Sequence, residues 1–144
     1  MLLENIYNEL VTEHSRNKEN RRTLENATVK ERGHNPSCGD EITLELEVKD
    51  GVISDAAFSG SGCAISQAST DMMIELVRGK TVEEAKKLAD LFIKMIQGEI
   101  TDEDTLSELD DAAILQNVST MPGRVKCATL AWHTLDIAVK NSEA

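Results

Sequence analysis

Two patterns of hydrophobic and polar residues divide the chain into strands and helices. Apolar side chains alternate with polar ones over residues 41–49 and again over 52–59, which predicts two β-strands. Asp50-Gly51 lies between them and is a strong signal for a two-residue turn. Residues 41–59 are therefore predicted to form a β-hairpin, and residues 28–31 are a candidate for a further short strand.

Elsewhere the apolar residues recur at helical spacing. This periodicity predicts helices over residues 2–15, 64–78, 82–97 and 124–140, with a short one over 107–118. Thr81 and Glu84 form a capping-box signature at the start of the third helix. The polar stretch 15–26 is expected to be a flexible connector. Together these elements predict an α+β fold, with a small antiparallel sheet and helices packed on one of its faces.

Length and charge restrict the possible functions. With 144 residues we expect a single domain over residues 1–144. The formal net charge of −11 argues against binding to nucleic acid or to an anionic membrane. No apolar run is long enough to span a bilayer, and the N-terminus does not have the pattern of a signal peptide, so we expect a cytoplasmic protein. In that reducing compartment the three cysteines are not expected to form a disulfide framework.

Three cysteines and one aspartate are the candidate metal ligands. Cys38 and Asp40 lie in a segment bounded by a proline and a glycine, which predicts a loop. Cys63 directly precedes a predicted helix, and Cys127 is placed in the first turn of the last helix. Helix N-termini favour thiolates, and three thiolates with one carboxylate suit four-coordinate zinc. Three separate buried cysteines are about equally compatible with the spacing, because there is no Cys-x-x-Cys pair.

Each cysteine lies within a longer motif. The three motifs are Asn35-Pro-Ser-Cys-Gly-Asp40, Gly60-Ser-Gly-Cys-Ala-Ile-Ser66 and Arg124-Val-Lys-Cys-Ala-Thr-Leu-Ala-Trp132. They closely resemble the motifs of the IscU, NifU and SufU family of iron–sulfur cluster assembly proteins, and the resemblance extends over most of the chain. It is greatest to the SufU branch. Lys126 stands where the scaffold branch has a histidine, and residues 98–121 match an extra segment of the SufU branch.

The resemblance implies an IscU/SufU-like fold and a zinc site formed by Cys38, Asp40, Cys63 and Cys127. It also implies a sulfur carrier that accepts persulfide sulfur from a pyridoxal-phosphate-dependent, SufS-like cysteine desulfurase and passes it to downstream cluster-assembly proteins. Cys38 is the expected acceptor, because a loop thiol can move more freely than thiols at helix starts. One alternative is a scaffold that holds a nascent iron–sulfur cluster on the same cysteines. Another is a purely structural zinc domain, which the carboxylate ligand disfavours.

Other candidate residues are assigned smaller roles. His34 and His133 are expected at the surface, and Trp132 is expected in the core, although a partner contact is the alternative. Lys126 is either a group that steadies a thiolate or persulfide, or simply an exposed lysine. The acidic stretch 99–111 is either a docking site for a basic partner or an ordinary solvated segment.

Overall fold

The structure is a computed structural model that describes the backbone of residues 2–37 and 39–143, and the side chains of residues 7–37 and 39–142. Cys38 therefore lies outside the described residues. The regular elements are, in chain order, α1 (Leu2–Arg16), β1 (Val29–Asn35), β2 (Asp40–Lys49), β3 (Val52–Ser61), α2 (Ala64–Val77), α3 (Val82–Ile96), α4 (Glu103–Leu106), a 3-10 segment (Ser107–Thr120) and α5 (Pro122–Glu143).

The three strands form one antiparallel sheet in the order β1-β2-β3. The predicted hairpin is confirmed: Asp50 and Gly51 have φ angles of 52° and 76°, as expected for a tight two-residue turn. The strand predicted over residues 28–31 is longer than expected and runs to Asn35, which pairs with Asp40 at the start of β2. The sheet therefore brings the two ends of the first cysteine motif side by side.

Helices pack against this sheet to form an α+β fold, as predicted. Ile42, Leu44 and Leu46 of β2 are fully buried at alternate positions, which is the pattern of a strand with one face on the core. On the helical side, Trp132 of α5 stacks on Phe92 of α3, with 4.2 Å between the ring centroids and 8° between the ring planes. Trp132 is fully buried, so the expectation that it belongs to the core is confirmed.

Helix α5 lies close to β1 because Gly33 has no side chain. A Cβ atom at position 33 would collide with the hydroxyl group of Thr134 and would lie 3.2 Å from Cδ1 of Leu130. Gly33 is itself buried. This close approach matters for the site, because β1 leads into the cysteine-bearing turn and α5 carries Cys127.

Two predicted helices differ from the observed ones. Helix α5 begins at Pro122 instead of residue 124, so Cys127 lies in the second turn and the prediction of a first-turn position is wrong. Proline is favoured at the first helical position, and this signal indicates the earlier start. Residues 107–120 form 3-10 turns instead of an α-helix, and a non-helical backbone at Asp110 (φ 50°, ψ −129°) interrupts them.

The segment between α1 and β1 is not the flexible connector that its polarity predicted. Asn20 and Leu24 are buried within it. The carbonyl oxygen of Asn20 accepts a hydrogen bond of 2.9 Å from the backbone N–H of Phe58 in β3. The side chain of Asn20 also donates a hydrogen bond of 2.8 Å to Oδ1 of Asp71. Polar groups of this segment therefore serve partly as internal hydrogen-bond partners, which polarity alone does not reveal.

Within the part of the chain that the structure describes, no helix combines the length and the apolar composition that a membrane span requires.

Candidate metal centre

Asp40 is the fully buried carboxylate of the first cysteine motif. The prediction that places it in a loop is wrong, because it is the first residue of β2 and pairs with Asn35. Its Oδ1 atom accepts a hydrogen bond of 2.9 Å from the backbone N–H of Cys63. Its Oδ2 atom is also buried and has no hydrogen-bond partner among the described residues. An unpaired buried carboxylate oxygen is costly, so this atom indicates a missing positive partner.

Cys63 is the N-cap residue of α2, directly before the helix as predicted. Its backbone is extended (φ −71°, ψ 168°), and its Sγ atom accepts a hydrogen bond of 3.5 Å from the N–H of Ser66. The preceding Gly62 leaves room for the carboxylate, since a Cβ atom there would lie 2.5 Å from Oδ1 of Asp40. The thiol therefore lies at the positive end of a helix.

Cys127 lies on α5 and is almost completely buried. Its helix is attached to α2 through Ser69, whose hydroxyl group donates to the carbonyl oxygen of Ala128 at 2.6 Å and accepts from the indole N–H of Trp132 at 2.9 Å. Because Cys127 lies in the second turn, it is farther from the positive end of its helix than a first-turn residue would be. Packing between helices, and not the helix start, determines where this thiol lies.

Asp40, Cys63 and Cys127 converge from three separate elements. One ligand atom from each of them lies within 4.8 Å of the others. Zinc binds sulfur at about 2.3 Å and carboxylate oxygen at about 2.0–2.2 Å, so these atoms could reach a common ion with small adjustments. The set of two thiols and one buried carboxylate oxygen therefore fits zinc. The role of Cys38 stays a prediction, because this residue lies outside the described part of the chain.

Tyr7 lies within electrostatic range of both Cys63 and Arg124. Burial raises the pKa of the Tyr7 phenol, the Arg124 cation opposes this rise, and the Cys63 thiolate adds to it. The third sequence motif contains Arg124, but nothing in the motifs indicates that α1 brings Tyr7 close to it.

Lys126 is exposed, as are His34 and His133, whose surface positions confirm the expectations.

A second cluster, unforeseen from the sequence, joins α1 to α2 and to the 3-10 segment. Nδ1 of His14 lies 2.6 Å from Oδ2 of Asp71, and Nε2 lies 3.0 Å from Oδ2 of Asp111. The hydrogen bond with Asp71 is the largest cause that raises the pKa of His14 to about 9. Asp71 also accepts hydrogen bonds from Asn17 and Asn20, so its charge is well satisfied. The one available sequence signal is an aspartate within the largely apolar helix α2.

Comparison with known proteins places these motifs in a family. The family model of the NifU-like N-terminal domain matches residues 6–144. The chain belongs to the NifU-like N-terminal domain family. Within this family, it is 44% identical over 140 residues to the iron–sulfur cluster assembly scaffold protein IscU of Thermotoga maritima, covering 97% of this chain and 96% of the relative. It is 37% identical over 141 residues to the zinc-dependent sulfurtransferase SufU of Bacillus subtilis, covering 98% and 94%.

The fold of this chain also matches solved structures of related proteins. A crystal structure from Fervidobacterium islandicum, described as an iron–sulfur cluster assembly scaffold for the SUF system, superimposes with a TM-score of 0.84 at 41% identity, covering 94% of this chain and 98% of that one. The N-terminal part of a NifU-like protein from Brucella abortus superimposes with a TM-score of 0.85 over 99% and 98% of the two chains. At 24% identity, the second likeness concerns the fold alone.

Proposed function

We propose that this protein acts in iron–sulfur cluster assembly as a zinc-dependent sulfur acceptor. The observations that support the zinc site are the fully buried Asp40 carboxylate, which keeps one oxygen unpartnered among the described residues, and the position of a carboxylate oxygen of Asp40 within 4.8 Å of the thiols of Cys63 and Cys127. A buried carboxylate oxygen next to two thiols is poorly stabilised in the protein alone. A divalent cation supplies the missing charge and coordinates all three groups.

The names of the relatives correspond to two candidate functions. The Bacillus subtilis relative is a zinc-dependent sulfurtransferase, and the Thermotoga maritima relative is a scaffold protein. The proposed ligands Cys38, Asp40, Cys63 and Cys127 contain no imidazole, and the residue before Cys127 is Lys126 and not a histidine. This donor set favours sulfur transfer at a zinc site over the building of a cluster.

Each group at the site has a defined task in this proposal. Zinc, when bound, stabilises the deprotonated form of its thiol ligands and withholds them from side reactions. Asp40 is oriented by the N–H of Cys63, so its second oxygen is available as a ligand. Cys63 and Cys127 are fixed by α2 and α5. Cys38 lies between β1 and β2 in the sequence, and it is proposed as the thiol that leaves the metal to accept sulfur.

The sulfur donor is proposed to be a persulfide on a pyridoxal-phosphate-dependent, SufS-like cysteine desulfurase. The Cys38 thiolate attacks the terminal sulfur of that persulfide. A new S–S bond forms on Cys38, the old S–S bond breaks, and the desulfurase cysteine leaves as a thiolate. Downstream cluster-assembly proteins then receive the sulfur.

Turnover of the desulfurase tests this function. Addition of the zinc-loaded protein to a SufS-like desulfurase and cysteine is expected to raise the rate of alanine formation, and Cys38→Ser should abolish the increase. No increase with the unaltered protein would contradict the proposal.

The scaffold function is the second candidate, because the 44% identical Thermotoga maritima relative has that name. Anaerobic reconstitution with ferrous iron and sulfide separates the two. A scaffold would hold iron and sulfide in fixed stoichiometry and develop a visible chromophore, whereas a zinc-dependent acceptor is expected to retain its zinc and stay colourless.

A further inference from the structure

Gln67 is a buried amide with unused hydrogen-bonding groups. Its exposed fraction is 5%, and neither its side-chain nitrogen nor its side-chain oxygen has a hydrogen-bond partner among the described residues. Buried polar side chains are nearly always paired, because an unpaired donor or acceptor costs free energy. This amide therefore needs a partner beyond the described residues.

A cavity of about 330 Å³ lies beside Gln67. Its lining residues are Ser15, Arg21, Gly60, Ser61, Gly62, Ala64 and Gln67. Helical side chains lean toward the N-terminus of their helix, so Gln67 on α2 leans toward this cavity at the start of the same helix. Cys63 does not line the cavity, although both of its chain neighbours do.

Arg21 supplies positive charge to the cavity. Its guanidinium group lies 5.4 Å from the centre of the Phe58 ring and donates hydrogen bonds to the carbonyl oxygens of Ser15 and Asn17. These contacts fix the position of the group without neutralising it. Within the described part of the chain, Arg21 has no ion-pair partner, even though the protein has a net charge of −11. A partly buried arginine that lacks an acidic partner can form an ion pair with an anionic ligand.

We propose that this cavity binds a small oxyanion, namely a carboxylate or phosphate group. The guanidinium group of Arg21 and the side-chain N–H₂ of Gln67 donate to its oxygens, and the positive end of α2 adds to the attraction. The Gln67 oxygen accepts a hydrogen bond from a hydroxyl or ammonium group of the same ligand. The proposal goes beyond the proposed function, because it involves neither zinc nor sulfur transfer.

Binding would act on the segment that carries Cys63. Gly60, Gly62 and Ala64 line the cavity and lie on either side of Cys63 in the chain, so a bound oxyanion would restrict the segment that places Cys63 beside Asp40. We therefore expect the first turn of α2 to respond to the ligand, with no change in the zinc content of the protein.

Amide NMR shifts of the full-length, zinc-loaded protein test this proposal. Phosphate, acetate and L-alanine are titrated separately, which distinguishes an inorganic anion, a plain carboxylate and a carboxylate that carries an ammonium group. Saturable shifts at Gly60, Gly62, Ala64 and the Gln67 side chain are expected for at least one probe. Gln67→Met should weaken that binding about tenfold or more, which corresponds to the loss of a good hydrogen bond.

Two variants distinguish binding in this cavity from non-specific electrostatic attraction of anions to the protein. Gln67→Met removes only the unpaired amide atoms, so the variant should fold at least as well as the unaltered protein. Gln97→Met, at the exposed end of α3, should leave the dissociation constant unchanged. The proposal is overturned if no probe saturates at tens of millimolar, or if Gln67→Met binds as tightly as the unaltered protein. A long-lived water on the Gln67 amide without anion binding would also overturn it.

Discussion

The carboxylate of Asp40 receives a hydrogen bond of 2.9 Å from the backbone N–H of Cys63 and keeps its second oxygen buried and unpaired among the described residues. This relationship connects the start of β2 to the start of α2 across the site. One oxygen of the carboxylate is used to orient the group, and the other is available to a cation.

Asp40→Asn should retain the orienting hydrogen bond and lose the anionic ligand. We expect zinc affinity to fall at least about tenfold, because a neutral amide is a poor zinc ligand. After chelation the variant should unfold at a urea concentration no lower than that of the chelated parent, since the substitution removes an unpaired buried carboxylate. Competition with a chromogenic zinc chelator measures the affinity. Unchanged zinc binding would exclude Asp40 as a ligand.

Gly62→Ala should disturb the same carboxylate from the other side. Its Cβ atom would lie 2.5 Å from Oδ1 of Asp40, so the carboxylate must move and zinc affinity should fall about tenfold. Gly123→Ala is the matched control, because a Cβ atom there meets nothing within 4 Å and lies within α5. This control should keep its zinc affinity. Equal effects of the two substitutions would contradict the steric argument.

The His14 ion pair gives the stability a pH dependence. The pKa of His14 is raised from 6.5 to about 9, chiefly by the hydrogen bond with Asp71 and also by Asp111 and Glu75. Its contribution to stability is therefore complete below about pH 6.5 and is lost as the pH rises through about 9. Urea midpoints should fall between pH 7 and pH 10, and the fall should be smaller in His14→Gln. An identical fall in both proteins would refute this assignment. His133→Gln, at an exposed position, should behave like the parent.

Lys126→His tests why the site would favour zinc over a cluster. The position is exposed, so the substitution should cost little stability while adding an imidazole next to Cys127. We expect more iron and sulfide to be retained after anaerobic reconstitution than in the parent. Lys126→Gln is the control that removes the charge without adding a metal ligand. If the two variants retain equal amounts of iron and sulfide, the missing imidazole is not the determinant.

Local signals in the sequence predict much of the fold. The Asp50-Gly51 turn and the Thr81–Glu84 capping box both depend on residues within four positions of one another, and both are found as expected. The position of Cys63 before α2 is another local feature that is confirmed. Such features follow from the backbone preferences of a few neighbouring residues, so one sequence is enough to find them.

Contacts between distant segments could not be predicted in the same way. The close approach of Gly33 to Thr134, the ion pair of His14 with Asp71 and the burial of Asn20 each join residues far apart in the chain. No periodic pattern encodes which faces meet. For the same reason, motif spacing indicated the candidate ligands of the site but not that Asp40 would be in a strand.

The sulfur-acceptor account is tested most directly by locating the transferred sulfur. The zinc-loaded protein is incubated with a SufS-like cysteine desulfurase and cysteine, trapped with an alkylating reagent, digested and analysed by peptide mass spectrometry. The account expects a gain of one sulfur atom on the peptide containing Cys38, and none in Cys38→Ser or in protein stripped of zinc by a chelator. Sulfur found on Cys63 or Cys127 of the Cys38→Ser protein, or full transfer to the zinc-free protein, would contradict it.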